Sequence, residues 1–143
     1  MKVLIYFLLL ACSTASAENH SALSGVWRVT SILDTSPSVS LSMKEAKRLI
    51  GKRLTVSEAE IKISNLVCKK PEFTVSTEKT FEFFYGIQGY RTDPVHLRLP
   101  ENVTAIKVDC VAPFDISAFF LSGKNRIVFE DGGFFFNAIR VNP

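Results

Sequence analysis

The chain reads as a mainly β protein, an antiparallel up-and-down β-barrel of about eight strands with one short helix after the first strand. Three observations carry this. Short apolar-alternating segments recur with turn residues between them. Ser122-Gly123-Lys124 and Asp131-Gly132-Gly133 separate three apolar runs near the end, a hairpin signal. Sequential hairpins build a meander, and a meander closed into a barrel leaves no edge strands exposed.

Residues 1–17 read as a leader rather than fold. Lys2 precedes an apolar run from Val3 to Ala11, and Ala15-Ser16-Ala17 fits signal-peptidase cleavage. The run is shorter than the ~20 residues of a spanning helix. Leu9-Leu10-Ala11-Cys12 also fits a lipobox, which would put a lipid anchor on Cys12 in an outer-membrane lipoprotein. The expected location is periplasmic or secreted. Cutting 17 of the 143 residues leaves 126, read as one domain over 18–143. That length can bury an independent core.

Residues 24–33 alternate loosely and give the first strand; 34–40, with Pro37, give a loop. Ser42 and Glu45 have capping-box spacing, and Met43, Ala46, Leu49 and Ile50 form a helical stripe. The spacing predicts a helix over 43–50, with Gly51 as a left-handed cap. Residues 52–56 and 60–64 predict strands around Ser57-Glu58-Ala59. If the second is continuous backwards, Glu58 and Glu60 share a face. Phe73 and Val75 mark the next strand, opened by Pro71. Residues 78–88 fit strand or helix equally. Asp93-Pro94 starts a helical turn ended by Pro100. Residues 103–110, 117–121, 125–130 and 134–141 complete the strands.

The formal charge is +3. With no concentrated basic stripe, no nucleic-acid partner is expected. Cys68 and Cys110 remain after the leader, an even pair that predicts one disulfide in an oxidising compartment. No metal-ligand spacing, phosphate-cradling loop or nucleophile motif occurs, so no metal, cofactor or enzyme activity is expected. His96 follows Asp93 by three residues, which would let that carboxylate orient the imidazole.

Twelve Phe are the unusual feature. Phe134 and Phe136 share a strand face and Phe135 takes the other. The outward ring needs a cover, and the helix at 43–50 is the expected one, through Met43, Ala46 and Ile50. Alternatively, the rings Phe81, Phe84, Phe120 and Phe135 form an aromatic patch for a partner or an apolar ligand. Lys44, Lys47, Arg48, Lys52 and Arg53 cluster at the helix end. The helix dipole accounts for Lys47 and Arg48 and leaves three cations surplus. Lys44, Lys52 and Arg53, together with Arg48, are candidates for an acidic partner or an anionic headgroup.

Gly25-x-Trp27 at the first strand and Arg140 near the end resemble the calycins: the lipocalins, fatty-acid-binding proteins and avidins. The resemblance implies that Trp27 plugs the base of a barrel, that Arg140 lies over the indole and reaches backbone carbonyls, and that Gly25 leaves room for a close turn. The chain departs from the lipocalin pattern by lacking a Thr-Asp-Tyr element. Its early helix is nearer to the fatty-acid-binding proteins. The expected function is an exported, non-enzymatic binding protein, an inhibitor- or immunity-type module for a protein partner. The alternative is a carrier of a small apolar ligand inside the barrel. A filled interior favours the first and a void of ~300 Å³ or more the second.

Overall fold

A computed structural model describes residues 21–86 and 91–142. The expected leader, Cys12 and His20 lie outside the described residues. Nine antiparallel strands form one curled sheet: β1 (Gly25–Thr35), β2 (Arg53–Val56), β3 (Glu60–Ile63), β4 (Leu66–Lys69), β5 (Glu72–Lys79), β6 (Asn102–Asp109), β7 (Ile116–Leu121), β8 (Arg126–Asp131) and β9 (Phe134–Arg140). Their order is β4-β3-β2-β1-β9-β8-β7-β6-β5. The two ends of the chain are joined through β1 and β9, the pairing that rolls a meander toward a barrel.

The roll has one break, between β4 and β5. The expected mainly β antiparallel meander is present, curled as a half-barrel in which β4 and β5 share no ladder among the described residues. Lys70 takes a left-handed φ of 52° between these strands, and Pro71 has no N–H to donate. The chain turns without forming a ladder. The Cys68–Cys110 disulfide ties β4 to the end of β6 across this region, with a Cα–Cα distance of 5.9 Å.

β4 is an additional strand. Its hairpin turns on Ser64 at φ 52°, without a glycine to announce it. Glu58 lies in the β2–β3 turn rather than on β3, so it does not share a strand face with Glu60. Glu60 instead pairs with Lys69 at 3.7 Å. The loose alternation of β1 has a physical cause: irregularities between Val29 and Ser31 and between Ile32 and Asp34 reset which side chain points inward.

The concave side is filled. Trp27, Leu54, Ile61, Ile63, Phe119, Phe129 and Phe136 are fully buried in one cluster fed by strands from both sides of the break. Trp27 sits at one end, its Nε1–H donating to Leu23 O at 2.9 Å. The Arg140 guanidinium carbon lies 4.1 Å from the indole centroid. The same guanidinium donates to the carbonyls of Ser24, Ala22 and Lys124 at 2.8–2.9 Å. Gly25 has φ +137°, and a Cβ there would come within 2.5 Å of an Arg140 nitrogen. Glycine is therefore required by both the backbone and the lid.

The convex side of β6–β9 carries a second core. Residues 78–85 resolve as the end of β5 followed by helix α2 (Thr80–Tyr85), and α3 (Pro94–Leu97) follows. Phe84 of α2 meets Phe120 and Phe135 at centroid distances of 5.1 and 5.9 Å. Leu97, Val103, Ala105, Ala118 and Val128 complete the cluster. The outward Phe135 is thus covered by α2 and α3, not by the early helix. That helix, α1 (Met43–Leu49), turns Ala46 into the concave core and leaves Met43 and Ile50 exposed.

Candidate binding site at the barrel mouth

α1 leads from the end of β1 away from Trp27 back to the start of β2, and its placement follows from local sequence. Ser42 Oγ accepts from the Glu45 N–H at 3.2 Å, and the Glu45 carboxylate accepts from the Ser42 N–H at 2.8 Å. These bonds close a capping box and hold the Glu45 carboxyl below the ordinary range. At the other end Gly51, at φ +83°, donates to Val29 O at 2.8 Å. Val29 N–H donates to Lys52 O at 3.0 Å, so the helix is pinned to β1 on exit.

The β8–β9 turn forms the facing wall. Gly132 and Gly133 take φ of +57° and +89°. The Gly132 carbonyl accepts from Ser40 and Leu41, which lays the 36–41 loop over the turn. A Cβ at Gly133 would collide with the Ser38 carbonyl, so this close approach needs glycine. Phe114 anchors the β6–β7 loop in the concave core.

Between α1, the Ser64–Asn65 turn, the 113–115 loop and the end of β8 lies a cavity of about 510 Å³. Leu41, Leu49, Leu66 and Pro113 supply its apolar lining. Arg48 and Lys52 stand on its α1 side with Glu45; Asp115 and Asp131 line it from the other side.

The two buried acids at the end of β8 take opposite faces of the strand and have different fates. Glu130 accepts from Ser117 Oγ and, at 2.6 Å, from the Gly133 N–H. Asp131 is 4% exposed. Ile127 and Phe129 belong to the concave core, so strand alternation turns Asp131 toward the same side. Among the described residues its carboxylate has neither a hydrogen bond nor an ion pair. Burial pushes its pKa up to about 7, aided by Asp115 and then Glu130.

The candidate residues separate. Arg48 and Lys52 line the cavity. Lys44 and Arg53 are exposed and outside its lining, each next in sequence to a lining residue, and among the described residues none of these four cations is within ion-pair distance of a carboxylate. Phe84, Phe120 and Phe135 are brought together but are buried as core. Phe81 is 67% exposed, and its ring meets that of Tyr85 at a centroid distance of 4.6 Å. His96 is oriented by Asp34 of β1, at 2.9 Å, which raises the imidazole pKa. Asp93, the expected partner, spends its carboxylate capping α3 at the Val95 N–H.

Near His96 a polar groove runs along β1, but Arg126 is already committed there. It donates to Leu97 O, Arg98 O, Ser122 and Asn137. Asp131 and Asp115 were not among the sequence candidates. The signal available was alternation: Ile127 and Phe129 inward place Asp131 inward too, although Asp-Gly-Gly reads first as a turn.

No family model matches the chain, and no curated protein or solved structure proves similar to it. Among the described residues no helix is long and apolar enough to cross a membrane.

Proposed function

We propose that this is an exported, non-enzymatic binding protein that engages a protein partner through the mouth of its barrel, as an inhibitor or immunity-type module does. The observation that carries this reading is the division between a filled interior and an equipped mouth. Trp27, Phe119, Phe129 and Phe136 occupy the space a carried ligand would need. The open cavity, Arg48 and Lys52 in its lining and the buried Asp131 gather at one end, Lys44 and Arg53 follow the lining residues in sequence, and among the described residues none of the four cations is ion-paired. A filled interior weighs against the alternative of an apolar ligand held inside the barrel. The disulfide is compatible with an extracellular setting and supports export to the periplasm or medium, by cleavage after Ala17 or anchorage through Cys12. The Trp27–Arg140 contact and the β1–β9 pairing support a calycin-like reading of the fold.

Native mass spectrometry of the protein purified from its own host tests the function. The expected species is a complex with a second protein that is lost in a Lys44→Glu/Arg53→Glu variant. Recovery of a bound apolar small molecule, with no protein partner, would refute it.

A further inference from the structure

Asp131 is 4% exposed and among the described residues its carboxyl group has no partner, so its charged form is costly unless a cation meets it. Asp131 faces a cavity whose middle is apolar and whose α1 side carries cations. Across the cavity, from the end of β8 to α1, the lining therefore runs acid, hydrocarbon, base, with Asp131 the buried acid and Asp115 an exposed one. A ligand matching that order has the reverse polarity at its two ends.

We propose that the mouth cavity binds an ammonium group on an apolar stem that also carries an anionic group. The ammonium meets Asp131 and Asp115, the stem lies along Leu41, Leu49 and Leu66, and the anion faces Arg48 and Lys52. This deepens the reading of the mouth as the binding end and rests on it. The same chemistry exists in a free amino acid with a terminal amine and in a partner's lysine beside an acidic residue.

Three features favour this class over its simpler relatives. A plain anion would find Arg48 and Lys52 but would also face Asp115 and Asp131 across the cavity. A plain amine would satisfy Asp131 while leaving two cations to repel it. A plain hydrocarbon would leave Asp131 buried and unmatched. Glu45 does not compete for the ligand, because its carboxylate is held by Ser42. Glu130 does not compete either, being held by Ser117 and Gly133. The cavity, about 510 Å³, lies within the usual ~300–1,000 Å³ range of small-molecule sites.

Isothermal titration of the intact protein with 6-aminohexanoate, hexylamine and hexanoate tests the proposal. The zwitterion should bind most tightly and hexanoate least. Asp131→Asn should weaken 6-aminohexanoate about tenfold or more, since it removes the charge partner at the buried end. Arg48→Ala/Lys52→Ala should weaken 6-aminohexanoate about threefold or more and leave hexylamine unchanged or tighter. If Asp131→Asn fails to fold, Asp115→Asn, at an exposed position, should weaken the zwitterion about threefold.

Tighter binding of 6-aminohexanoate than of acetyl-Glu-Lys-amide would support a free small molecule; the reverse would support a partner's lysine. The proposal is overturned if neither binds at millimolar concentration, if hexanoate binds as tightly as the zwitterion, or if Asp131→Asn changes nothing. Partner capture that still depends on Lys44 and Arg53, both outside the cavity, would then leave the wider reading standing.

Discussion

Replacing Phe135 with Ala probes the least expected feature of the fold, the second core on the convex side. The ring is fully buried and meets Phe84 and Phe120 at centroid distances of 5.9 and 6.5 Å. A buried Phe truncated to Ala costs ~3–5 kcal/mol, as lost transfer energy plus an unfilled cavity. For a domain of this size that lowers the melting temperature by about 10–20 °C. The loss should not be global in its first effect. Phe84 is the fully buried ring of α2, so truncation of its neighbour should release that helix before the sheet opens. Amide exchange at Thr80–Tyr85 should therefore accelerate under conditions where β7–β9 remain protected. Phe81→Ala is the control: at 67% exposure it should cost under ~0.5 kcal/mol. Urea unfolding of both variants decides the matter. A Phe135→Ala loss below ~1 kcal/mol, or equal losses for the two, would refute the claim that α2 and α3 seal a core.

Further predictions concern the strap, the lid and the buried acid. Removing the Cys68–Cys110 bridge, which spans a sequence separation of 42, should destabilise the fold by at most ~4 kcal/mol in denaturant melts of Cys68→Ala/Cys110→Ala. Arg140→Met should cost ~2 kcal/mol, from the indole contact and the donors to three carbonyls, and should alter Trp27 fluorescence. Asp131 has a folded pKa raised to about 7 from 3.8, so the native state holds its proton after the unfolded state has released it. Stability should then fall by a few kcal/mol as pH rises from about 4 to about 7, and stay low above it. His96, whose pKa is also raised, pulls the same way near neutrality, so Asp131→Asn is the discriminating variant. It should flatten most of the slope and be the more stable protein at pH 8, as urea midpoints at pH 5 and pH 8 would register.

What the sequence revealed depended on how local the cause was. The Ser42–Glu45 capping box is a three-residue event and reads directly from the chain. The Asp131-Gly132-Gly133 hairpin is equally local. The Trp27–Arg140 meeting is long-range, and it was expected only through the resemblance to the calycins that Gly25-x-Trp27 and a cation near the end of the chain carry. The β3–β4 hairpin was not, because Ser64 adopts its left-handed turn without glycine or Asn. The cover over Phe135 was misassigned for a topological reason. Strand alternation says that one ring must leave the concave side, but not which helix arrives there. Ala46 in the concave core shows that α1 was already committed elsewhere. Asp34 displaced Asp93 as the partner of His96 because Asp93 sits at an N-cap, where its carboxylate is drawn to the Val95 N–H. At the mouth, the basic residues stood out in the sequence and the acids did not. Charges in a row advertise themselves, whereas Asp131 acquires its character only from burial.

The proposed function places binding at the mouth rather than inside the barrel. Titrating the ¹⁵N-labelled protein with 6-aminohexanoate and following backbone amides measures that directly. Shifts should concentrate at Leu41–Lys52, Asn65, Leu66, Asp115 and Asp131, with the Trp27 indole at the far end unmoved. Shifts centred on Trp27, Phe119 and Phe129 would place the ligand in the interior and contradict it.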